Sequence, residues 1–288
     1  MPASNVLRVI VWMTGALLAF SATAVGVRGL SRAFSVFEIL AMRNALGVAI
    51  LLALVLVKPR LRHELKPRRI KTHLVRNVLH FLGTDGWAYC IAVLPLATAF
   101  ALEFTAPAWV ALLAIPLLKE RLTRPRLVAI VAGFTGVLII LRPGVETFQP
   151  ASALMLVVAF VFALVAIVTK RLTLTESTFS IVFMMNVIQL PLNLIWVDGA
   201  FWQKIELVHA WPIAGVSLGG LLSHYCLTNA YRYGDASMVM PLDFLRIPLI
   251  AIVGWRLYGE ALDPYVFVGS ACIIAGLFYS LRREARTT

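Results

Sequence analysis

The chain holds 288 residues, 60% of them hydrophobic and 14% charged, with a formal net charge of +12. Soluble domains carry roughly 25% charged residues, so this composition excludes an ordinary water-soluble protein. The positive charge fits either nucleic-acid binding or membrane orientation, and its placement along the chain decides between them.

Apolar runs close to membrane-spanning length, about 20 residues, predict ten helices in chain order. They cover 9–27, 36–57, 74–93, 97–118, 126–141, 152–169, 179–198, 211–231, 236–258 and 264–281. A bilayer core offers no water to an open backbone, so each span is read as helical. The first contains Ala22-Thr23-Ala24, which imitates a signal-peptide cleavage site. Its length, and a counterpart at 152–169, make it a retained helix.

Polar residues punctuate these spans. Helix two carries Arg43 and Asn44. Helix three carries His80, Thr84 and Trp87 at i, i+4 and i+7, with Asp85 on an adjoining face. Glu103 lies on helix four. Helix seven carries Asn186, Gln189 and Asn193 on one face, which predicts a stripe lining water or substrate; interhelical hydrogen bonding is the alternative. Helix eight puts His224 and Thr228 on one face, and helix nine brings Asp243 within i,i+3 reach of Arg246. Pro107, Pro116, Pro241 and Pro248 interrupt helices four and nine, as bends beside a site or as fixed kinks. Gly133, Gly136, Gly215 and Gly219 predict close helix approach. Cys90, Cys226 and Cys272 lack paired spacing, which argues against disulfides and metal.

With both termini inside, 19 basic residues fall in inner segments and five in outer loops. That asymmetry orients a multi-pass plasma-membrane protein with cytoplasmic ends. It leaves no role for nucleic acid. The densest run, Lys58 to Arg76, also suits contact with anionic lipid.

The second half repeats the first. Phe37, Met42 and Asn44 return 142 positions on as Phe179, Met184 and Asn186, and Glu103 returns 140 positions on as Asp243. Five helices per half make the copies antiparallel, so the expected architecture is all-α and integral to the membrane. Two inverted five-helix repeats, 1–145 and 146–288, surround a central cavity. By rise per residue, Arg43 and Glu103 fall at similar depth and are expected to pair across the bundle. The acids Glu103 and Asp243 take mirrored depths. Each pair reads either as a fixed salt bridge or as a gate that changes partners. His80 and His224 suit proton acceptance or neutral hydrogen bonding. Among the tryptophans, Trp196, Trp202 and Trp211 fit an interfacial belt, and Trp12, Trp87, Trp109 and Trp255 lie within spans.

No Walker-type loop, Ser/His/Asp arrangement or metal-ligand spacing is present, so neither an enzyme nor a cofactor is expected. Ala88-Tyr89, Ala97, Ala99, Pro107, Lys119-Glu120-Arg121-Leu122 and Gly133-x-x-Gly136-Val137 resemble the EamA repeat of the drug/metabolite transporter superfamily. A second copy reads Ala230-Tyr231, Ala236-Ser237, Pro248, Gly259-Glu260-Ala261-Leu262 and Gly276. Within the superfamily the chain looks most like YddG-type amino acid exporters. The resemblance implies ten helices, a central cavity and efflux of amino acids, aromatic ones included, and of some cationic compounds. It assigns Glu120 and Glu260 to helix capping or loop anchoring.

The expected function is therefore alternating-access export of amino acids by a monomer or homodimer. Arg43 would meet the substrate carboxylate, and Glu103, Asp85 or Asp243 its ammonium group. Asn44, Asn186 and Gln189 would orient it beside Trp87, His80 and His224, with Arg246 adding polarity. A permease for another metabolite or a cationic drug, and a lipid-handling factor or sensor without flux, stay open beside it.

Overall fold

The computed structural model describes residues 3–93, 102–141, 150–247, 249, 252–253, 256 and 264–286. Among these residues all regular structure is helical. In chain order the helices are α1 (Ala3–Leu30), α2 (Val36–Val57), α3 (Ile70–Val93), α4 (Ala106–Leu118), α5 (Arg124–Leu141), α6 (Pro150–Leu172), α7 (Thr178–Leu194), α8 (Ala210–Tyr233), α9 (Ala236–Val239) and α10 (Pro264–Arg286). The helix of α9 tightens into a 3₁₀ turn over Met240–Leu245. Ala97, Ala99, Pro248, Trp255 and Gly259-Glu260-Ala261-Leu262 lie outside the described residues.

Helix ends follow local chemistry. Ser35 and Glu38 form a reciprocal capping box, with Ser35 N donating to Glu38 Oε2 at 2.7 Å and Glu38 N to Ser35 Oγ at 3.3 Å. Ser177 caps α7 through Ser180 N at 3.0 Å. Lys119 ends α4 in the left-handed region, φ 57°. The prolines act mainly at boundaries: Pro107 sits in the first turn of α4, and Pro241 in the first turn of the 3₁₀ segment. Pro116 and Pro191 lie inside α4 and α7.

By length and composition, the stretches Asn5–Leu30, Val36–Val57, Pro150–Leu172 and Pro264–Arg283 are able to cross a membrane. Ala106–Leu118, Thr178–Leu194 and Ala236–Leu245 are apolar but shorter. α3 combines Lys71, His73, Arg76, Asn77 and His80 in one helix, so its apolar character is diluted.

Packing joins α1 to α8, α3 to α6, α2 to α7 and α5 to α10. Missing side chains permit these approaches. A Cβ on Gly219 would stand 2.8 Å from the Ala19 carbonyl oxygen of α1, and one on Gly136 would stand 2.5 Å from that of Gly269 on α10. Polarity is reversed relative to a soluble protein. Arg43, Asn44, Arg76, Asn77 and Gln189 are buried, whereas Leu7, Val11, Leu18, Val75 and Leu112 face outward. That outward apolar surface suits lipid.

Candidate functional site

A cavity of about 210 Å³ lies between α1, α2, α3, α4, α6, α8 and the α9 segment. Of the residues singled out from sequence, it brings Arg43, His80, Trp87, Glu103, His224, Asp243 and Arg246 together on its wall. Asn44, Asp85, Asn186 and Gln189 are not on it.

One pole of the cavity is an acid–base cluster built where regular α-helix gives way. Glu103 precedes a turn at Phe104-Thr105 that leads into α4, and Asp243 occupies the 3₁₀ turn after α9. Glu103 Oε2 accepts the Trp87 indole N–H at 2.7 Å, and Glu103 Oε1 accepts Arg246 Nη2 at 2.8 Å. Arg246 Nη2 also lies 3.1 Å from Asp243 Oδ2. The Arg246 guanidinium is 5.2 Å from the Phe104 ring centroid and 5.7 Å from that of Phe20. This arrangement corrects one expectation. Glu103 pairs with Arg246 rather than Arg43, because the 3₁₀ segment after α9 packs against α4 and carries Arg246 to the carboxylate, while Arg43 turns to the amides of Asn44 and Gln189.

The other pole is an amide-linked pair of arginines. Arg43 Nη2 donates to Asn44 Oδ1 at 3.5 Å and to Gln189 Oε1 at 3.4 Å. Gln189 Nε2 reaches Asn77 Oδ1 at 3.3 Å and His80 Nδ1 at 3.0 Å. Asn77 Oδ1 also accepts Arg76 Nη1 at 2.8 Å, and Arg76 Nε donates to Thr169 Oγ1 at 3.2 Å. Gly220 of α8 makes room for Arg43, since a Cβ there would stand 2.6 Å from Arg43 Cδ.

Between the poles the wall is aromatic. The His80 and His224 rings meet edge to face at 5.0 Å, His224 meets Phe20 at 5.7 Å, and His80 lies 6.3 Å from Phe162. Thr84, Thr228, Tyr231 and Met240 complete this belt. The Tyr231 hydroxyl contacts Met240 Sδ at 2.9 Å.

The helix-seven stripe behaves differently from expectation. Asn186 and Asn193 donate to carbonyls of their own helix, Val182 O and Gln189 O, each at 2.8 Å. Asn186 packs over the bare Cα of Gly47 on α2. The stripe therefore faces a helix interface, and only Gln189 joins the cavity network, from behind Arg43 and His80. Asn44 is fully buried at the same level of α2. Asp85 leaves the wall, and its buried Oδ1 has no hydrogen-bond partner among the described residues. The tryptophans divide likewise. Trp87 lines the cavity, Trp12 packs on Tyr225, Trp109 on Phe160 and Trp196 on Phe37, while Trp202 and Trp211 are exposed.

Sequence reading missed Arg76, Asn77 and Thr169. Arg76 closes the basic run from Lys58 and lies only two residues into the predicted span 74–93, so its charge reads as an inner-face residue; the helix begins at Ile70 and carries it inward. The signal was present in spacing: Arg76, His80, Thr84 and Trp87 fall at i, i+4, i+8 and i+11, a single helical stripe.

A second polar cluster ties the helix ends. Glu120 accepts Ala236 N at 2.9 Å, Ser237 N at 3.1 Å and the Ser237 hydroxyl at 2.7 Å, so it caps α9. Arg126 pairs with Asp235 at 2.8 Å beside it. Among the described residues no group of three His, Cys, Asp or Glu side chains is placed to hold a metal.

Comparison with known proteins now adds to this geometry. A model described as the EamA-like transporter family matches the chain twice, over residues 7–142 and 149–282. The chain is 32% identical over 279 residues to a riboflavin transporter of Rhizobium johnstonii, covering 96% of this chain and 91% of the relative. It is 32% identical over 247 residues to a riboflavin transporter of Brucella anthropi, covering 82% and 87%. It is 26% identical over 275 residues to an S-adenosylmethionine uptake transporter of Rickettsia bellii, covering 96% and 94%. A crystal structure with 18% sequence identity superposes on 100% of this chain and 99% of its own, with a TM-score of 0.74, a likeness of fold.

Proposed function

The chain belongs to the EamA-like transporter family, and on that premise we propose that it is a permease passing a small, ring-bearing metabolite through the central cavity by alternating access. It is a membrane transporter and not an enzyme. The observation that carries the substrate reading is the wall of the cavity. An aromatic belt of Phe20, His80, Phe162 and His224 suits a flat ring, and polar poles at both ends suit its substituents. Relatives named for riboflavin and S-adenosylmethionine support ring-bearing cargo. They also move the reading away from the amino acid export suggested by sequence, and from outward toward inward transport.

Amino acids remain the second reading, favoured by one feature. The arginine pole and the Glu103–Asp243 pole face a common space, as a zwitterion requires. S-adenosylmethionine joins both readings, since it carries an α-amino acid end and a purine.

For architecture we propose two inverted five-helix repeats, 1–145 and 146–288. Exchanging the halves turns the α1–α8 contact into the α6–α3 contact and returns α2–α7 and α5–α10 to themselves. The doubled family match supports the same division. In this arrangement Glu103 and Asp243 are counterparts, both set at helix breaks as ligand groups in inverted-repeat transporters are.

The test is flux in proteoliposomes with labelled riboflavin, S-adenosylmethionine and tryptophan. Saturable uptake of a ring-bearing solute that unlabelled solute competes away is expected. Uptake of tryptophan alone would restore the amino acid reading. Absence of flux for all three across repeated reconstitutions would favour a sensor or lipid-handling role.

A further inference from the structure

We infer that the cargo bears a carboxylate or phosphate group that docks between Arg43 and Arg76. The inference rests on the permease reading of the same cavity and specifies the chemistry of its cargo. Both arginines line the cavity and both are deeply buried, at 7% and 2% exposure. Among the described residues neither has a carboxylate partner. The hydrogen bonds of Arg43 go to the amides of Asn44 and Gln189, and those of Arg76 to Asn77 and the Thr169 hydroxyl. Arg43 Nε is buried and has no hydrogen-bond partner among the described residues.

A guanidinium held away from water without an anion is costly, and such groups in membranes mark substrate paths. Two other buried or half-buried arginines show the contrast. Arg246 meets two carboxylates and Arg126 meets Asp235. Among the described residues of the cavity wall three guanidinium groups face two carboxylates, Glu103 and Asp243, which leaves one positive charge for the cargo to neutralise.

The geometry is prepared for that group. Gln189 and Asn77 bridge the two arginines, so both guanidinium planes are oriented by neutral acceptors before any anion arrives. Guanidinium forks match carboxylate and phosphate oxygens. The His80–His224 edge-to-face pair lies beside them, where the ring of the cargo would rest. Neutral polar cargo would leave the two charges as they stand, with nothing gained from either.

The experiment compares molecules that differ only in the acidic group: riboflavin against riboflavin 5′-phosphate, and tryptamine against tryptophan. Melting of the detergent-solubilised protein and flux in proteoliposomes are read for wild type, Arg43→Gln, Arg76→Gln and Arg43→Lys, with inorganic phosphate and chloride as controls. At least one acid-bearing member should raise the melting point while its partner does not. Either Gln substitution should weaken that effect by at least about tenfold, as loss of a charge-assisted contact does. Without ligand the Gln variants should melt no lower than wild type, because each removes an uncompensated buried charge. Arg43→Lys, which keeps charge but loses the fork, should fall between.

Equal responses to both members of each pair, or unchanged responses in the variants, overturn the inference while leaving permeation standing. A full shift from chloride or inorganic phosphate with no difference within the pairs also overturns it, by assigning the site to a resident ion. So would ligand-free melting of the Gln variants well below wild type, rescued by Arg43→Lys. An arginine-dependent shift from an acid-bearing compound without flux upholds the site and sinks the permease.

Discussion

Glu103 holds two partners at once, the Trp87 indole at 2.7 Å and Arg246 at 2.8 Å. Glu103→Gln keeps an acceptor for the indole but leaves Arg246 with Asp243 alone. Breaking part of a buried pair costs about 1–3 kcal/mol where a second counter-ion remains. Flux should drop with it, by at least about tenfold. A double-mutant cycle of Glu103→Gln with Arg246→Gln should return a coupling of about 0.5–3 kcal/mol; additive effects would show that the two side chains do not share a stabilising contact. Gly220 offers a different kind of probe. A methyl group there meets the flexible stem of Arg43 at 2.6 Å and not a backbone atom. Gly220→Ala should therefore move Arg43 and slow transport several-fold, while the melting temperature stays within a few degrees. A large loss of stability with unchanged flux would mean that Gly220 serves helix packing instead.

Elements are held at their ends by side chains from the other half of the chain. Glu120 supplies three acceptor contacts to the start of α9. Because that start carries the 3₁₀ segment bearing Asp243, the cap sets the position of one pole of the cavity. Glu120→Ala should cost about 1–2 kcal/mol in denaturant unfolding, as loss of a helix cap does. Unchanged stability would show that Arg126 and Asp235 hold the segment without it. Helix ends were legible in sequence where the capping chemistry is local. The apolar run 36–57 coincides with α2, whose start the structure caps with Ser35 and Glu38, and the Glu120 capping role implied by the family motif matches its contacts. Burial of α3 was less legible. Lys71, His73 and Arg76 look like loop residues when each charge is assumed to seek water, yet Arg76 points inward and bonds Asn77 and Thr169. The amides of α7 failed for another reason. Periodicity tells which residues share a helical face but not which neighbour that face meets, and Asn186 meets Gly47 of α2. Partner choice across the bundle was likewise invisible. Depth placed Arg43 level with Glu103, but only the fold shows Arg246 nearer.

At the scale of the molecule, the two halves share both poles of the cavity. Arg43, Arg76 and Glu103 come from the first, and Asp243, Arg246 and His224 from the second. Substrate bound between them would touch both, and in the proposed alternating access a rocking of one half against the other would change which face the cavity meets. The proposed orientation makes a separate prediction. A phosphatase active only outside the cytoplasm should work when inserted in the loop between α7 and α8, and fail when fused after Thr288. Activity at both positions would contradict the charge-based orientation.

Alternating access of the cavity is the central claim, and one measurement addresses it directly. Thr228 lines the cavity, and Cys90, Cys226 and Cys272 are free thiols that Ala substitutions would remove. A lone cysteine at Thr228 should react with a membrane-impermeant thiol reagent added from either side of sealed vesicles. A transported solute should slow the reaction from both sides. Reaction from one face only, with no protection by any solute that the protein carries, would contradict the account.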